Sequence, residues 1–87
     1  MLEVTTIKEV KVQIGILCKQ QRKAHGLSRD DLAKVLDISR TTIQNIENGK
    51  NANLDTLLKL ANHFGMLQTI FKGVNQVISN QSNISLY

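Results

Sequence analysis

The stretch from Gly26 to Gly49, GLSRDDLAKVLDISRTTIQNIENG, decides the fold. Each half begins with a serine, Ser28 or Ser39, and serine is a favoured N-cap of helices. After each serine, apolar side chains return at the three- and four-residue spacing of a short amphipathic helix. The stretch therefore predicts two short helices joined by a tight turn at Asp37, a residue type that tolerates left-handed backbone geometry.

The second of these helices, from Ser39 to about Asn48, has two different sides. Ile43 and Ile46 are placed to enter the core. The other side carries hydrogen-bonding side chains and no acid; its members are Arg40, Thr41, Gln44, Asn45 and Asn48. Arginine can read guanine, and asparagine or glutamine can read adenine, through paired hydrogen bonds. These residue types therefore fit the recognition of base edges in DNA.

Further helices are predicted on both sides of this stretch. Thr6 and Glu9 have the spacing of a capping box, and an apolar stripe at helical spacing runs from there to about His25. Asn53 is the N-cap of another predicted helix, which ends at Gly65. The chain is therefore expected to be helical as far as Gly65.

The segment after Gly65 is ambiguous from its residues alone. Its apolar residues could form a helical stripe; they are Leu67, Ile70, Phe71, Val74, Val77 and Ile78. However, no N-cap residue precedes the segment, Gly73 interrupts it, and Thr, Ile, Phe and Val favour strands. We predict a strand from about Leu67 to Lys72. Because a lone strand has no partner in a helical chain, we expect it to pair with the same strand of a second copy across a two-fold axis.

Length and composition bound the class of protein. Eighty-seven residues allow one domain with a small core, which gains stability from dimerisation. The net charge of +4 and the pI of about 9.5 permit a polyanionic partner without proving one. A single cysteine excludes an internal disulfide, and no apolar run approaches the ~20 residues of a membrane span. The expected location is therefore the cytoplasm, with no role for a membrane.

The sequence offers little support for an enzyme or a cofactor site. It shows no nucleophile–base pair, no cluster of metal ligands and no Gly-rich phosphate loop. Asp30 and Asp31 fall in the first turn of a predicted helix, where they complement the helix dipole more readily than they act as an acid–base pair. Cys18, His25 and His63 are isolated and are interpreted as structural. We expect no catalysis, no metal and no cofactor.

Residues from about Ile14 to Gly65 resemble the helix-turn-helix family of lambda-repressor and Cro type, also called the XRE family. The matching pieces run in order and nearly without gaps: Ile14-Gly15, Arg22, Gly26-Leu27-Ser28, Leu32-Ala33, Ile38-Ser39, Ile43, Ile46-Glu47-Asn48-Gly49-Lys50, and Leu54 through Ala61. The resemblance implies an all-α, compact bundle of four or five helices that binds operator DNA as a two-fold dimer. To this fold we add the short C-terminal strand predicted above.

The resemblance also implies roles for individual residues. It indicates a structural ion pair between Arg22 and Glu47. It places Arg40, Thr41, Gln44 and Asn45 against bases, and Thr42, Asn48 and Lys50 near phosphates. The capped helix starts at Ser28 and Ser39 offer backbone N–H groups to phosphates, alongside Arg29. Two departures from the family pattern are Arg29, where Gln is common, and Asp37, where Gly is usual.

These expectations divide the chain into three parts. Residues 1–65 form the DNA-binding domain, with residues 1–5 flexible; residues 66–78 form a dimerisation segment, and residues 79–87 form a flexible tail. The dimer contacts are expected from Leu67, Thr69, Ile70 and Phe71.

Two functions are compatible with the sequence. The first is a homodimeric transcriptional regulator, a repressor, that binds a two-fold symmetric site in double-stranded operator DNA through a major-groove recognition helix. The second is suggested by the predicted strand, which resembles the one that follows the helices in HipB-type antitoxins. Such a protein binds and neutralises a partner toxin and also regulates its own operon.

Overall fold

Five helices make up the chain in a computed structural model that describes the backbone of residues 5–85 and the side chains of residues 5–81. They are α1 (Ile7–Ala24), α2 (Arg29–Leu36), α3 (Arg40–Glu47), α4 (Leu54–His63) and α5 (Leu67–Ser85). The described residues contain no strand. The predicted all-α class is therefore confirmed, and the predicted C-terminal strand is wrong.

Each of the first four helices begins directly after its predicted N-cap. The caps are Thr6, Ser28, Ser39 and Asn53, and each side chain accepts a hydrogen bond from the backbone N–H three residues further on. At Thr6 and Ser28 the cap is reciprocal, because the side chains of Glu9 and Asp31 accept from the backbone N–H of the cap residue. These bonds satisfy helix-end donors that would otherwise lack a partner, so they fix where the helices start.

The turn between α2 and α3 is closed by Asp37 in the left-handed conformation, with φ 56° and ψ 49°. The backbone N–H of Ile38 donates to the carbonyl of Ala33 at 3.0 Å, which completes the turn. Aspartate adopts this region at lower cost than most residues other than glycine. The departure from the usual glycine therefore preserves the tight turn, and α3 starts three residues after Asp37.

The core lies among the first four helices and is mainly aliphatic. Leu32, Ile43 and Leu60 are 0%, 1% and 2% exposed. The other members of this buried cluster are Cys18, Ala33, Ile46 and Phe64. Because α2, α3 and α4 each contribute one fully buried branched side chain, the core fixes the relative positions of the three helices.

Gly15 allows α1 to approach the end of α3 closely. A Cβ atom at this position would lie 2.6 Å from the carbonyl oxygen of Ile46 and 2.7 Å from that of Glu47. Both distances are shorter than a carbon–oxygen contact allows, so only glycine fits without a shift of the backbone. The contact holds the C-terminal end of α3 against α1.

The segment that was predicted as a strand from Leu67 to Lys72 is the first part of α5. The backbone N–H of Ile70 donates to the carbonyl of Met66, and helical geometry continues to Ser85. A helix satisfies its own backbone donors and acceptors, whereas a lone strand would need a second chain to do so. Gly73 costs a helix interior only about 1 kcal/mol, which the apolar periodicity of this segment outweighs.

The helix also extends through residues 79–85, which were expected to form a flexible tail. Leu86, Tyr87 and four of the five N-terminal residues that were expected to be flexible lie outside the described residues. The proposed division at residue 65 into a DNA-binding part and a dimerisation part stays a prediction.

α5 projects from the bundle formed by α1 to α4. At the junction Gly65 has φ +73°, and the N–H of Met66 donates to the carbonyl of Ala61 at 2.7 Å, so the end of α4 sets the direction of α5. The chain measures 49 × 26 × 22 Å, with a radius of gyration of 15.3 Å. A compact chain of this length would have a radius of about 12 Å. Every side chain from Leu67 to Gln81 is exposed.

Among residues 5–85, no helix has both the length and the apolar character needed to cross a bilayer.

Candidate DNA-binding surface

α3 separates its apolar and polar residues onto opposite sides. Ile43 and Ile46 are 1% and 2% exposed and form part of the core. On the other side, Arg40 and Thr41 are exposed, and Gln44 and Asn45 are partly exposed. These are the four side chains that were expected to read bases, and the fold brings all four to one outward surface. None of them is buried in the core.

Glu47, the single acid of α3, is withdrawn from this surface. Its side chain is 1% exposed, and its Oε2 lies 2.6 Å from Nε of Arg22. Nη2 of Arg22 donates to Oε1 at 3.1 Å, so the pair is bidentate. Nη1 of Arg22 donates to the carbonyl of Leu27 at 2.9 Å. Arg22 and Glu47, for which the family resemblance implied an ion pair, thus link α1 to the end of α3.

A second arginine contacts the same carboxylate, and the sequence did not reveal it. Nε of Arg29 lies 3.0 Å from Oε1 of Glu47, with 26% of the Arg29 side chain exposed. Arg29 was expected to contact a phosphate in the place of a family glutamine. Its Nε holds α2 to α3 through Glu47, while about a quarter of the side chain stays exposed. No spacing pattern predicts a pair of residues that lie eighteen positions apart in the chain.

The two arginines keep Glu47 ionised in spite of its burial. Burial by itself would raise the pKa of Glu47, but hydrogen bonds from Arg22 and Arg29, together with their positive charges, hold the pKa below its ordinary value. The hydrogen bond with Glu47 correspondingly raises the pKa of Arg22, against the opposing effect of burial. The cluster of two cations and one anion therefore carries a net positive charge beside α3.

Arg40 makes a separate ion pair with Asp30. Its Nε lies 3.2 Å from Oδ1 of Asp30, and 57% and 66% of the two side chains are exposed. Asp30 was interpreted as a residue that complements the dipole of α2. The contact shows that its carboxylate also faces the first residue of α3, across the turn between the two helices.

The residues expected to contact phosphates lie around the two ends of α3. Ser39 and Thr42 share a hydrogen bond between their hydroxyl groups at 2.8 Å at its start. Ser28 is the exposed cap of the neighbouring α2, and its hydroxyl accepts from the N–H of Asp31 at 3.0 Å. A serine hydroxyl that accepts one bond can still donate its own hydrogen. Asn48 and Lys50 are exposed just beyond the C-terminal end of α3.

An open cleft of about 240 Å³ lies between the starts of α2 and α3. Its lining consists of Arg22, Ser28, Arg29, Asp30 and Arg40. Three cations and one exposed anion give this concave surface a positive balance, which suits an approaching phosphate.

Comparison with known families agrees with this architecture. A family model described as helix-turn-helix matches residues 19–68, which is more than half of the chain and includes all of α2, α3 and α4. The chain belongs to the helix-turn-helix family. The match also covers the end of α1, with Arg22, and the first two residues of α5.

One curated relative of this helix-turn-helix protein shares 44% identity over 55 residues, which is 61% of this chain and 83% of the relative. It is described as an uncharacterised HTH-type transcriptional regulator from Methanocaldococcus jannaschii. The family match and this relative together support the assignment of the chain as a DNA-binding transcriptional regulator of XRE type.

The remaining chemically reactive groups of the helix-turn-helix domain serve packing. Cys18 is buried, and burial, together with the nearby Glu47 carboxylate, raises the pKa of its thiol to about 11. The thiol is therefore protonated and unreactive at neutral pH. The rings of His25 and His63 both lie against Phe64, with centroid distances of 5.2 Å and 5.1 Å. Among residues 5–81, whose side chains the structure describes, no group of three or more side chains is suited to hold a metal.

Proposed function

We propose that the protein is a transcriptional repressor that acts as a homodimer on a two-fold symmetric operator. Each copy inserts α3 into a major groove, with the two helices about 34 Å apart, one turn of DNA. A repressor of this kind acts by occupying its operator, so it needs a DNA-binding surface and a dimer contact but no further activity. Both requirements match surfaces that the chain exposes.

The observation that carries the proposal is the composition of the outward side of α3. Arg40, Thr41, Gln44 and Asn45 supply donors and amides there, while the acid of the same helix is buried against two arginines. Negative charge is thereby removed from the helix surface that would enter the groove. In this role Arg40 reads guanine, and Gln44 or Asn45 reads adenine.

Contacts to phosphates set the position of α3 in the groove. At the starts of α2 and α3, phosphates are contacted by Ser28, Arg29, Ser39 and Thr42. At the C-terminal end of α3, they are contacted by Asn48 and Lys50. Such contacts fix the register of a protein on DNA without reading its sequence. Replacing Lys50 by alanine should therefore weaken binding to all sites alike and reduce the salt dependence of log K by about one unit.

α5 is the proposed dimerisation element, as a helix in place of the predicted strand. Its outward stripe repeats at heptad spacing, with Leu67 and Val74 at one set of positions and Ile70 and Val77 at the next. These four side chains are 40%, 56%, 43% and 54% exposed, and the neighbouring Phe71 is 69% exposed.

Two features make a second copy the favoured occupant of this stripe. Two α5 helices can bury their stripes against each other, which explains an apolar surface of this extent on a water-exposed helix. Lys72 is the one charged residue of α5, and at helical spacing it falls on the side away from the stripe. Pairing two copies therefore brings no like charges together. Thr69, which the sequence places at the dimer contact, also falls on the side of α5 away from the stripe and is therefore not part of the proposed interface.

The test is selection of bound sites from a random pool of DNA duplexes. A two-fold symmetric motif with half-sites one turn apart is the expected result, and it would establish binding, target and dimer geometry together. An unstructured or asymmetric set of selected sites would contradict the proposal. The selected motif then serves as the probe for alanine variants of α3.

Arg40→Ala should cost about 1–3 kcal/mol in binding and relax the base preference at one position of each half-site. Lys19→Ala is the matched control, because it removes the same charge from an exposed position of α1 and should leave the base preference intact. If Arg40→Ala, Thr41→Ala and Gln44→Ala all left operator affinity unchanged in a gel-shift series, the assignment of the reading surface would be wrong.

An antitoxin of HipB type is the alternative function. The structure removes the strand on which that likeness rested, but the exposed stripe of α5 could dock a toxin instead of a second copy. Co-expression with the product of a neighbouring open reading frame separates the two functions. Co-purification of a stable complex would favour the antitoxin. A homodimer that does not bind the co-expressed protein would favour the repressor.

A further inference from the structure

Two consecutive residues at the start of α2 contact the two ends of α3. Arg29 pairs with Glu47, the last residue of α3, at 3.0 Å. Asp30 pairs with Arg40, the first residue of α3, at 3.2 Å. The first contact lies against a buried carboxylate and has a structural role. The second lies at the surface, on a side chain that is proposed to read a base.

We propose that Asp30 is a positioning residue that orients Arg40 for base recognition and so determines the specificity of the protein at one position of its DNA site. This inference rests on the proposed function. It assigns to Asp30 a role that goes beyond its interaction with the helix dipole of α2.

The atoms in contact indicate how the orientation is achieved. Asp30 approaches the Nε edge of the Arg40 guanidinium, with Oδ1 as the nearest oxygen. An arginine has five N–H donors, and the two terminal nitrogens are free for other partners when Nε is engaged. Guanine is read by a pair of donors directed at O6 and N7. A carboxylate at Nε therefore limits the rotation of the guanidinium and leaves a donor pair for the base.

Stability does not account for this contact. Both side chains are more than half exposed, and exposed ion pairs contribute little to folding because solvent screens them. Nor does capping account for it, because the reciprocal cap of α2 is made by Asp31, whose Oδ2 accepts from the N–H of Ser28 at 3.1 Å. Water is excluded when α3 enters a groove, and the same ion pair is then stronger.

The other charges around Asp30 favour Arg40 as its partner. Arg22 and Arg29 line the same cleft, but the Nε groups of both are directed at Glu47. A carboxylate at a phosphate-binding surface also opposes general attraction to DNA. Asp30 should therefore reduce binding to all DNA to a small extent while it sharpens the choice of base at one position.

The experiment compares two neutralising substitutions that lie one residue apart, Asp30→Asn and Asp31→Asn. Both remove one negative charge from the first turn of α2, and both positions are exposed, but only Asp30 contacts Arg40. The probe is the motif selected by the wild-type protein, in its four versions at the position that Arg40→Ala identifies as dependent on Arg40. Competition binding gives the preference among the four bases.

Asp30→Asn should reduce the preference at this position at least threefold and leave the preferences elsewhere in the site unchanged. Asp31→Asn should change the affinity for all four probes by the same factor. In the double variant Asp30→Asn with Arg40→Ala, the preference should equal that of Arg40→Ala alone, because a positioning residue has no effect without the residue it positions.

Two results would overturn the inference while leaving the proposed function intact. One is a preference in Asp30→Asn equal to that of the wild type or of Asp31→Asn. The other is a sharper preference in Asp30→Asn, which would mean that Asp30 competes with the base for Arg40. Failure of the wild-type protein to select any motif is a different outcome, because it contradicts the proposed function itself. Thermal unfolding of each variant establishes that the fold is retained.

Discussion

The bundle of α1 to α4 and the projecting α5 differ in where their apolar residues find partners. In the bundle, Leu32, Ile43 and Leu60 are enclosed by neighbouring helices of the same chain. In α5 the apolar stripe has the same periodicity, yet Phe71 is 69% exposed and Val74 is 56% exposed. The core residues of α2, α3 and α4 are thus covered within the chain, whereas the apolar stripe of α5 is left exposed.

The charged residues show the same contrast. In the bundle, the Glu47 carboxylate pairs with two arginines, and the Asp30 carboxylate pairs with Arg40. These ion pairs link α2 to both ends of α3. α5 carries a single charged residue, Lys72. The bundle thus presents charged groups that suit an anionic partner such as DNA, whereas α5 exposes an apolar stripe, which is the basis of the proposed dimer contact.

The largest effect is expected from Glu47→Gln, which tests how far the bundle depends on its buried charges. The change leaves Arg22 and Arg29 without their anion, and removal of one partner from a buried ion pair costs about 3–5 kcal/mol. Urea unfolding measures the loss. Asp55→Asn is the control, because its pair with Lys59 is exposed and spans 4.0 Å, so the variant should unfold like the wild type. Equal stability of Glu47→Gln and the wild type would contradict a structural role for the cluster.

The second prediction compares the change in stability when one glycine of the bundle and one glycine of α5 are replaced by alanine. Gly15→Ala would force a Cβ atom against two backbone carbonyls of α3, and overpacking of this kind costs about 1–3 kcal/mol. Gly73→Ala places a Cβ in open space within α5 and should stabilise that helix by about 0.5–1 kcal/mol.

Thermal unfolding followed by circular dichroism measures both glycine variants. A Gly15→Ala variant as stable as the wild type would show that the close approach of α1 to α3 does not need glycine. A destabilised Gly73→Ala variant would show that α5 has close neighbours at this position.

The third prediction concerns the exposed stripe of α5. Val74→Asp should weaken dimerisation at least tenfold, or about 1.4 kcal/mol, because a charge then enters the apolar contact. Gln76→Asp adds the same charge on the far side of the helix and should leave the dimer intact. Sedimentation equilibrium measures both dissociation constants. If the two variants behaved alike, the stripe would not be the dimer contact.

The smallest effect appears only in acid. The folded-state pKa of Glu47 lies below its ordinary value of 4.5 because two arginines stabilise the carboxylate. The resulting stability is complete above the ordinary pKa and is lost as the pH falls through the lower, folded-state pKa. The wild type should therefore lose stability in this acid range, and Glu47→Gln should lose less. Parallel curves of unfolding free energy against pH would contradict this linkage.

Local sequence signals predicted most of the bundle. Thr6, Ser28, Ser39 and Asn53 each marked the start of a helix, because a capping side chain and the donors it satisfies lie within three residues of each other. The polar side of α3 could also be predicted from the sequence, since helical periodicity alone separates Ile43 and Ile46 from the four residues that face outward. These inferences needed only neighbours in the chain.

The strand prediction at the start of α5 failed because it also relied only on near neighbours in the chain. The residues from Leu67 to Lys72 have mixed preferences, with β-branched residues and a nearby Gly73 set against an apolar repeat of helical spacing. Propensity is a weak guide in a short segment, and the strand prediction gave it too much weight. The longer repeat through Val74 and Val77 was the more reliable signal.

The sequence by itself determined where the first four helices begin, that Ile43 and Ile46 enter the core and which side of α3 is polar, because these properties arise from contacts between near neighbours. Only the tertiary structure decided that Arg29 joins Arg22 on Glu47, that Asp30 faces Arg40, and that α5 leaves the bundle. Those features depend on side chains that meet across separate helices, and the distance between them is set by the packing of the core, which no local pattern encodes.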